Sequence, residues 1–170
     1  MNKKTQKVTF SSENVEWSTP QNFFEQLRIK YDFNLDPCAT AETTKCSKYF
    51  TTEQDGLNQD WGGHTVFMNP PYGREIKKWI QKAYNESRKP GTIVVCLIPS
   101  RTDTKYWHQY CMEAHEIYFV KGRLKFGDAD NSAPFPSAVV VFKPELTAAF
   151  NGGNYPKMYT INTKGERGAY

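Results

Sequence analysis

The sequence predicts an α/β fold built on a mainly parallel sheet. Three observations carry that expectation. Short apolar runs of strand length alternate along the chain with segments of helical period. The run 92–98 is apolar almost throughout, as befits a central strand buried on both faces. The last two strand-like runs, 117–121 and 138–143, are joined without a helix, which implies an antiparallel strand near the C-terminal end.

Each element has a local reason. Ser18-Thr19-Pro20 reads as a helix start, a hydroxyl cap with proline at the first helical position, and Phe23, Phe24, Leu27 and Tyr31 follow at helical spacing. Residues 33–35 form a short strand ending at Asp36-Pro37, and a short helix is expected over part of 40–48. Residues 64–68 read as a buried strand that ends at Asn69-Pro70-Pro71-Tyr72. From about 74 to 87, Ile76, Trp79, Ile80, Ala83 and Tyr84 make one apolar stripe, with lysines facing away. The central strand stops at Pro99, and a third helix at about 103–114 buries Tyr106, Trp107, Tyr110, Cys111 and Ala114. Lys121, Arg123 and Lys125 alternate, which on a strand puts three cations on one face.

At 170 residues the chain has the size of one domain. Mean hydropathy is −0.71, but 11 Phe, 10 Tyr and 4 Trp can supply a core where aliphatics are few, which argues against disorder throughout. No apolar run approaches the ~18–20 residues that span a bilayer, and no apolar segment follows the N-terminal lysines, so neither membrane nor secretory signal is expected. Cys38, Cys46, Cys96 and Cys111 form no C-x-x-C pair and pair with no histidine at zinc spacing, so reduced thiols, a cytoplasmic setting and no metal are expected. The net charge of +4 resides in the ends: Lys3, Lys4 and Lys7 at one, Lys157, Lys164 and Arg167 at the other. The expected organisation is a basic flexible arm over 1–14, a body over 15–145 and a polar, basic tail over 146–170.

Asn69-Pro70-Pro71-Tyr72 carries the chemistry. It follows a buried strand and precedes a helix, which is where open α/β sheets bind ligands. Pro71 keeps Pro70 out of the helical region, so the Pro70 carbonyl can point into a cleft, and the Asn69 amide oxygen is a second acceptor. Two acceptors suit the two hydrogens of an exocyclic amine, and Tyr72 offers a flat face for a ring. Such acceptors localise the lone pair of a poor aromatic amine nucleophile as it attacks, without a covalent intermediate. The same four residues can also be a plain turn or a proline-rich ligand.

Asn-Pro-Pro-Tyr after a strand resembles motif IV of S-adenosylmethionine-dependent amino-methyltransferases. The body resembles the small phage-type, Dam-like DNA N6-adenine methyltransferases. Trp17-Ser18-Thr19-Pro20, Leu35-Asp36-Pro37-Cys38-Ala39, Asp55-Gly56-Leu57, Asp60-Trp61, Leu97-Ile98-Pro99-Ser100-Arg101-Thr102-Asp103 and Gly122-Arg123-Leu124-Lys125-Phe126 fit that pattern in order, over roughly 130 residues. The resemblance implies a compact Rossmann-like methyltransferase fold with helices on both faces and S-adenosylmethionine as cofactor. Thr19 and Pro20 would hold the donor's methionine end, Trp17 and the motif I residues Asp36, Pro37 and Cys38 would also contact the donor, and Asp55 and Leu57 belong to the motif that accepts from its adenine amine. No G-x-G follows Asp36; Thr40-Ala41-Glu42 stands where glycines are usual. The interval from Asp36 to Asn69 is short for two strand–helix units, so one helix is expected to be reduced or missing.

The implied partner is double-stranded DNA, with adenine flipped out of the duplex to reach the donor. Lys77, Lys78 and Lys82 on the helix after the motif, with Arg123 and Lys125, would contact phosphates, and Arg101, just past the central strand, would line the base pocket or contact phosphate. The loop 127–136 and the two arms are the candidates for reading bases. A role in protecting phage DNA from restriction is what the resemblance suggests. Two alternatives remain: methylation of another planar NH2 (cytosine N4, guanine in RNA, a glutamine amide), or a non-catalytic nucleic-acid-binding relic.

Overall fold

The computed structural model describes residues 18–144 and 155–163. Trp17 and most of the two expected arms lie outside the described residues.

The chain runs α1 (Gln21–Lys30), β1 (Leu35–Asp36), β2 (Lys48–Tyr49), a 3-10 turn (Gly56–Asn58), β3 (Thr65–Met68), α2 (Ile76–Ser87), β4 (Ile93–Pro99), α3 (Lys105–Gln109), a second 3-10 turn (Cys111–Glu113), β5 (Glu116–Lys121), β6 (Ser137–Phe142) and β7 (Lys157–Asn162). The strands form one sheet in the order β2-β1-β3-β4-β6-β5-β7. Only β6 runs against the others: β1, β2, β3 and β4 pair in parallel, β6 is antiparallel to both β4 and β5, and β5 is parallel to β7. The α/β fold with a mainly parallel sheet is therefore as expected.

Register shows which face each helix covers. Phe67 lies opposite Val95 and Val95 opposite Val141, so these three share a face. Phe24 of α1 packs on Phe67 with ring centroids 5.0 Å apart. Phe142 points to the other face and meets Tyr84 of α2 at 6.1 Å. Helices thus cover both faces, and the sheet interior from Val94 to Ile98 is fully buried.

Several expectations are corrected. Pro20, not a hydroxyl residue, is the N-cap of α1 and its carbonyl accepts from Phe23 and Phe24, while the Thr19 hydroxyl lies one residue before the cap and accepts from Asn69. No helix forms within 40–48, where Thr40 and Thr43 exchange backbone N–H to hydroxyl bonds and close a turn instead. That turn leaves the segment between β1 and β3 without an α-helix, as the short interval implied. The third helix is split: α3 ends at Gln109, and Tyr110 at φ −125 separates it from the 3-10 turn. The antiparallel strand near the C-terminal end lies inside the sheet, between β4 and β5. The Lys121–Ser137 link has no helix to carry a crossover, so β6 returns beside β4 and β5 is pushed outward. The strand bearing Lys121 stops there; Gly122 turns at φ 89, and Arg123 and Lys125 follow in an extended loop, exposed, with Leu124 and Phe126 buried between them. The expected C-terminal tail contributes β7, of which only Ile161 is buried, so its apolar signal is weak.

Two buried carboxylates tie the layers together. Glu116 accepts from Lys30 (2.6 Å), Tyr31 (2.9 Å) and Tyr118 (2.7 Å), joining the end of α1 to β5. Burial alone would raise its pKa, but the hydrogen bonds from Lys30, Tyr118 and Tyr31 outweigh it and hold the carboxyl at about 2. Glu86 of α2 accepts the Trp61 backbone N–H (2.8 Å) and pairs with Lys82 (2.6 Å) and Lys89 (2.7 Å). Removing a buried, paired carboxylate strands its partners. Glu86→Ala is expected to lower the unfolding free energy by about 3 kcal/mol in urea denaturation. Lys78→Ala, which breaks only the exposed pair with Glu75, is expected to change it by less than about 1 kcal/mol.

Candidate active site

Because β1, β2, β3 and β4 are parallel, the loops at their carboxyl ends emerge along one edge of the sheet. Two cavities open there. The first, about 120 Å³, is walled by the loop after β1 (Pro37, Cys38, Ala39, Thr40), by Thr51 and Thr52 after β2, by Asp55 and Gly56, and by Pro71 and Trp79. The second, about 260 Å³, is walled by Tyr72, Gly73 and Ile76 at the head of α2, by Pro99, Arg101, Thr104 and Tyr106 after β4, and by Phe135. Pro71 faces one cavity and its neighbour Tyr72 the other, so this pair is their common wall; half-buried Asn69 and buried Pro70 are among the wall residues of neither.

Hydrogen bonds from separate elements hold Asn69. Its side-chain nitrogen donates to Thr19 Oγ1 (3.0 Å), its side-chain oxygen accepts from the Tyr72 hydroxyl (2.7 Å), and its backbone carbonyl accepts from the Cys38 thiol (3.4 Å). Tyr72 is only 7% exposed and is packed edge-on by Phe126 and Phe135, with centroids at 6.2 and 5.4 Å. Burial holds its phenol far above the usual range, so it stays a neutral donor. The open stacking face expected of Tyr72 is largely covered; what remains is its part of the second cavity's wall.

Asp55 is the one non-glycine residue with positive φ among the described residues (φ 50). Its carboxylate accepts from the Leu57 N–H (3.2 Å) and the Asn58 amide (2.6 Å), which fixes it at the rim of the first cavity. Gly56 follows at a close approach: a Cβ there would lie 1.9 Å from the Pro37 carbonyl oxygen. Trp61 Nε1 donates to the Gly56 carbonyl (2.9 Å), and its ring stacks on Trp79 with centroids 6.3 Å apart. Asp60-Trp61 therefore pins the Asp55-Gly56 loop against α2.

Asp36 does not reach the cavity. It is 5% exposed and accepts backbone N–H bonds from Cys38 (3.4 Å) and Lys45 (3.2 Å), so it shapes the loop from beneath. Burial raises its pKa to about 6, the two N–H bonds opposing the shift. Thr19 and Pro20 line neither cavity. Of the expected phosphate contacts, Lys77 and Lys78 are exposed on α2, Arg101 is exposed at the second cavity, and Lys125 is exposed. Arg123 is exposed and reaches the Ala133 carbonyl (3.5 Å). Lys82 is committed elsewhere: it pairs with Glu86 and lies over the Trp61 ring at 5.4 Å.

The family model for DNA N-6-adenine-methyltransferase (Dam) matches residues 6–164. The chain belongs to that family. Among relatives, a DNA N-6-adenine-methyltransferase of Haemophilus phage HP1 (strain HP1c1) is 29% identical over 171 residues, covering 95% of this chain and 97% of the relative. A protein of the same name from Escherichia phage T1 is 26% identical over 143 residues, covering 81% of this chain but 58% of that longer relative. The resemblance drawn from the motifs is thus borne out at the level of the family.

Several wall residues of this family member escape a reading of its sequence. Trp79 reads there only as part of an apolar stripe, and Thr51, Thr52, Thr104, Tyr106 and Phe135 belong to none of the site motifs. A signal exists for Thr51, Thr52, Thr104 and Tyr106, which follow the carboxyl ends of parallel strands. Among the described residues no group of three or more His, Cys, Asp or Glu can hold a metal, and no helix is long and apolar enough to cross a membrane.

The buried Asp36 predicts a pH dependence. Its folded pKa, about 6, lies above the ordinary 3.8, so the folded chain holds a proton that the unfolded chain releases. The cost of ionising it is absent below about pH 4, grows between about pH 4 and 6, and is complete above that. Thermal melting across this window is expected to show a destabilising contribution with rising pH that is flattened in Asp36→Asn.

Proposed function

We propose that the chain transfers a methyl group from S-adenosylmethionine to N6 of adenine in double-stranded DNA, with the base flipped out of the duplex. The observation that carries the reading is the shared wall: one Asn-Pro-Pro-Tyr turn separates two cavities, with Pro71 on one side and Tyr72 on the other.

The first cavity fits the donor's nucleoside. Pro37, Pro71 and Trp79 are apolar and flat, the threonines supply hydroxyls, and Asp55 offers carboxylate oxygens to an amine or sugar hydroxyl. The donor supplies an electrophilic methyl on a sulfonium. The chain's residues do the rest. The second cavity takes the flipped base, with the cost of unstacking, a few kcal/mol, offset by its aromatic wall and by phosphate contacts from exposed Lys77, Lys78, Arg101, Arg123 and Lys125. Asn69 and the Pro70 carbonyl accept from the two amine hydrogens and direct the nitrogen lone pair at the methyl. Tyr72, a neutral phenol, braces Asn69 and takes no proton; the proton released by the methylated amine leaves to solvent. An enzyme acting on DNA in this way works in the cytoplasm of a bacterial host.

The test is incubation with unmethylated plasmid, RNA and protein, each with labelled donor, followed by nucleoside analysis and methylation-aware sequencing. N6-methyladenine in DNA is the expected outcome; label confined to RNA or protein would sink the reading. Asn69→Ala is expected to lose about 100-fold or more in turnover while calorimetry still detects the donor. Gly56→Ala is expected to lose donor binding, because the new methyl displaces the Pro37 strand end from the cavity wall.

A further inference from the structure

We propose that Thr19 is a positioning residue for methyl transfer, holding the Asn69 carboxamide with its nitrogen turned back to Thr19 and its oxygen turned to the hydroxyl of Tyr72, a wall residue of the second cavity. The inference rests on the functional reading above. Motif order assigns Thr19 to the donor, but Thr19 is 4% exposed, neither it nor Asn69 is among the residues that wall the two cavities, and its hydroxyl oxygen accepts from Asn69 Nδ2 at 3.0 Å. The opposite end of the same amide accepts from Tyr72, a wall residue of the second cavity.

A carboxamide has one donor end and one acceptor end. An exocyclic amine in the plane of a base presents only N–H groups along its edge, so the amide helps only with its oxygen forward. Rotated by half a turn, Asn69 would set N–H against N–H. The nitrogen end therefore needs an acceptor behind it, and Thr19 supplies one. The backbone around Thr19 is fixed on both sides. Pro20 follows at φ −56 as the N-cap of α1, and the Ser18 carbonyl accepts from Gly127 (2.8 Å).

Thr19→Val removes the hydroxyl at nearly constant volume, and Thr19→Ser keeps it. Thr19→Val is expected to lower kcat roughly 10- to 100-fold while the dissociation constant for S-adenosylmethionine stays within about threefold. Thr19→Ser is expected to restore kcat to within about threefold of the parent. In 15N–1H spectra the Asn69 side-chain NH2 pair should shift in Thr19→Val and not in Thr19→Ser. A Thr19→Val protein that loses donor affinity at unchanged kcat, or that changes in neither, overturns the proposal. If Thr19→Val does not fold, the parent chain still decides: an Asn69 NH2 pair exchanging as fast as a solvated amide overturns it. Asn69→Ala separates the two levels. Retained turnover there overturns the functional reading itself, whereas loss there with an active Thr19→Val overturns only the role of Thr19.

Discussion

The grip on Asn69 is the constraint around which this edge of the sheet is organised. Thr19 comes from the approach to α1, Cys38 from the loop after β1, and Tyr72 from the approach to α2. None of these segments is adjacent in sequence to the other two. They meet because β1 and β3 are parallel neighbours that end at the same edge, and because α1 packs on the face carrying Phe67, two residues before Asn69. The hydrogen bonds are individually modest, on the order of 1 kcal/mol each. Their worth is geometric: those to Thr19 and from Tyr72 hold a small amide in one orientation, and that from Cys38 holds its backbone carbonyl.

The first cavity depends on a second, separate brace. Asp55 and Gly56 can sit against Pro37 only because residue 56 has no side chain, and they stay there because Trp61 holds the Gly56 carbonyl. Trp61 in turn rests between Trp79, the Lys82 ammonium and the Glu86 carboxylate. Charges that look on a helical wheel like a solvated cationic face are thus partly structural. The outer face of α2 is divided in function, with Lys77 exposed, Lys78 in an exposed pair with Glu75 and Lys82 drawn inward.

Most of the architecture is legible in the sequence because it follows from periodicity. The stripe on α2, the buried run of β4 and the turn after β3 each have a local cause that the sequence displays. Three features lack one. The position of β6 inside the sheet depends on which neighbour a returning strand chooses, and adjacency in sequence does not encode that. β7 is an edge strand with one buried side chain, so Lys157–Asn162 carries little alternation to read. The Thr40–Thr43 turn replaces an expected helix because two hydroxyls outcompete helical hydrogen bonding. At the site, motif spelling locates Asn69 and Asp55 but not their geometry. Asp36 reads as a ligand contact and lies beneath the floor; Trp79 reads as core and also forms wall. A burial pattern does not say which edge of a ring meets empty space.

The head of α2 serves both cavities at once: Trp79 lines the first and Ile76, one helical turn earlier on the same stripe, lines the second. Substitutions at these two positions share neighbours, so their effects will not add. Evolution of such a chain toward a different target base is therefore not a matter of the second cavity alone. Variation that reshapes Ile76 is also exposed to selection through the donor, and changes on the two sides must be accepted together.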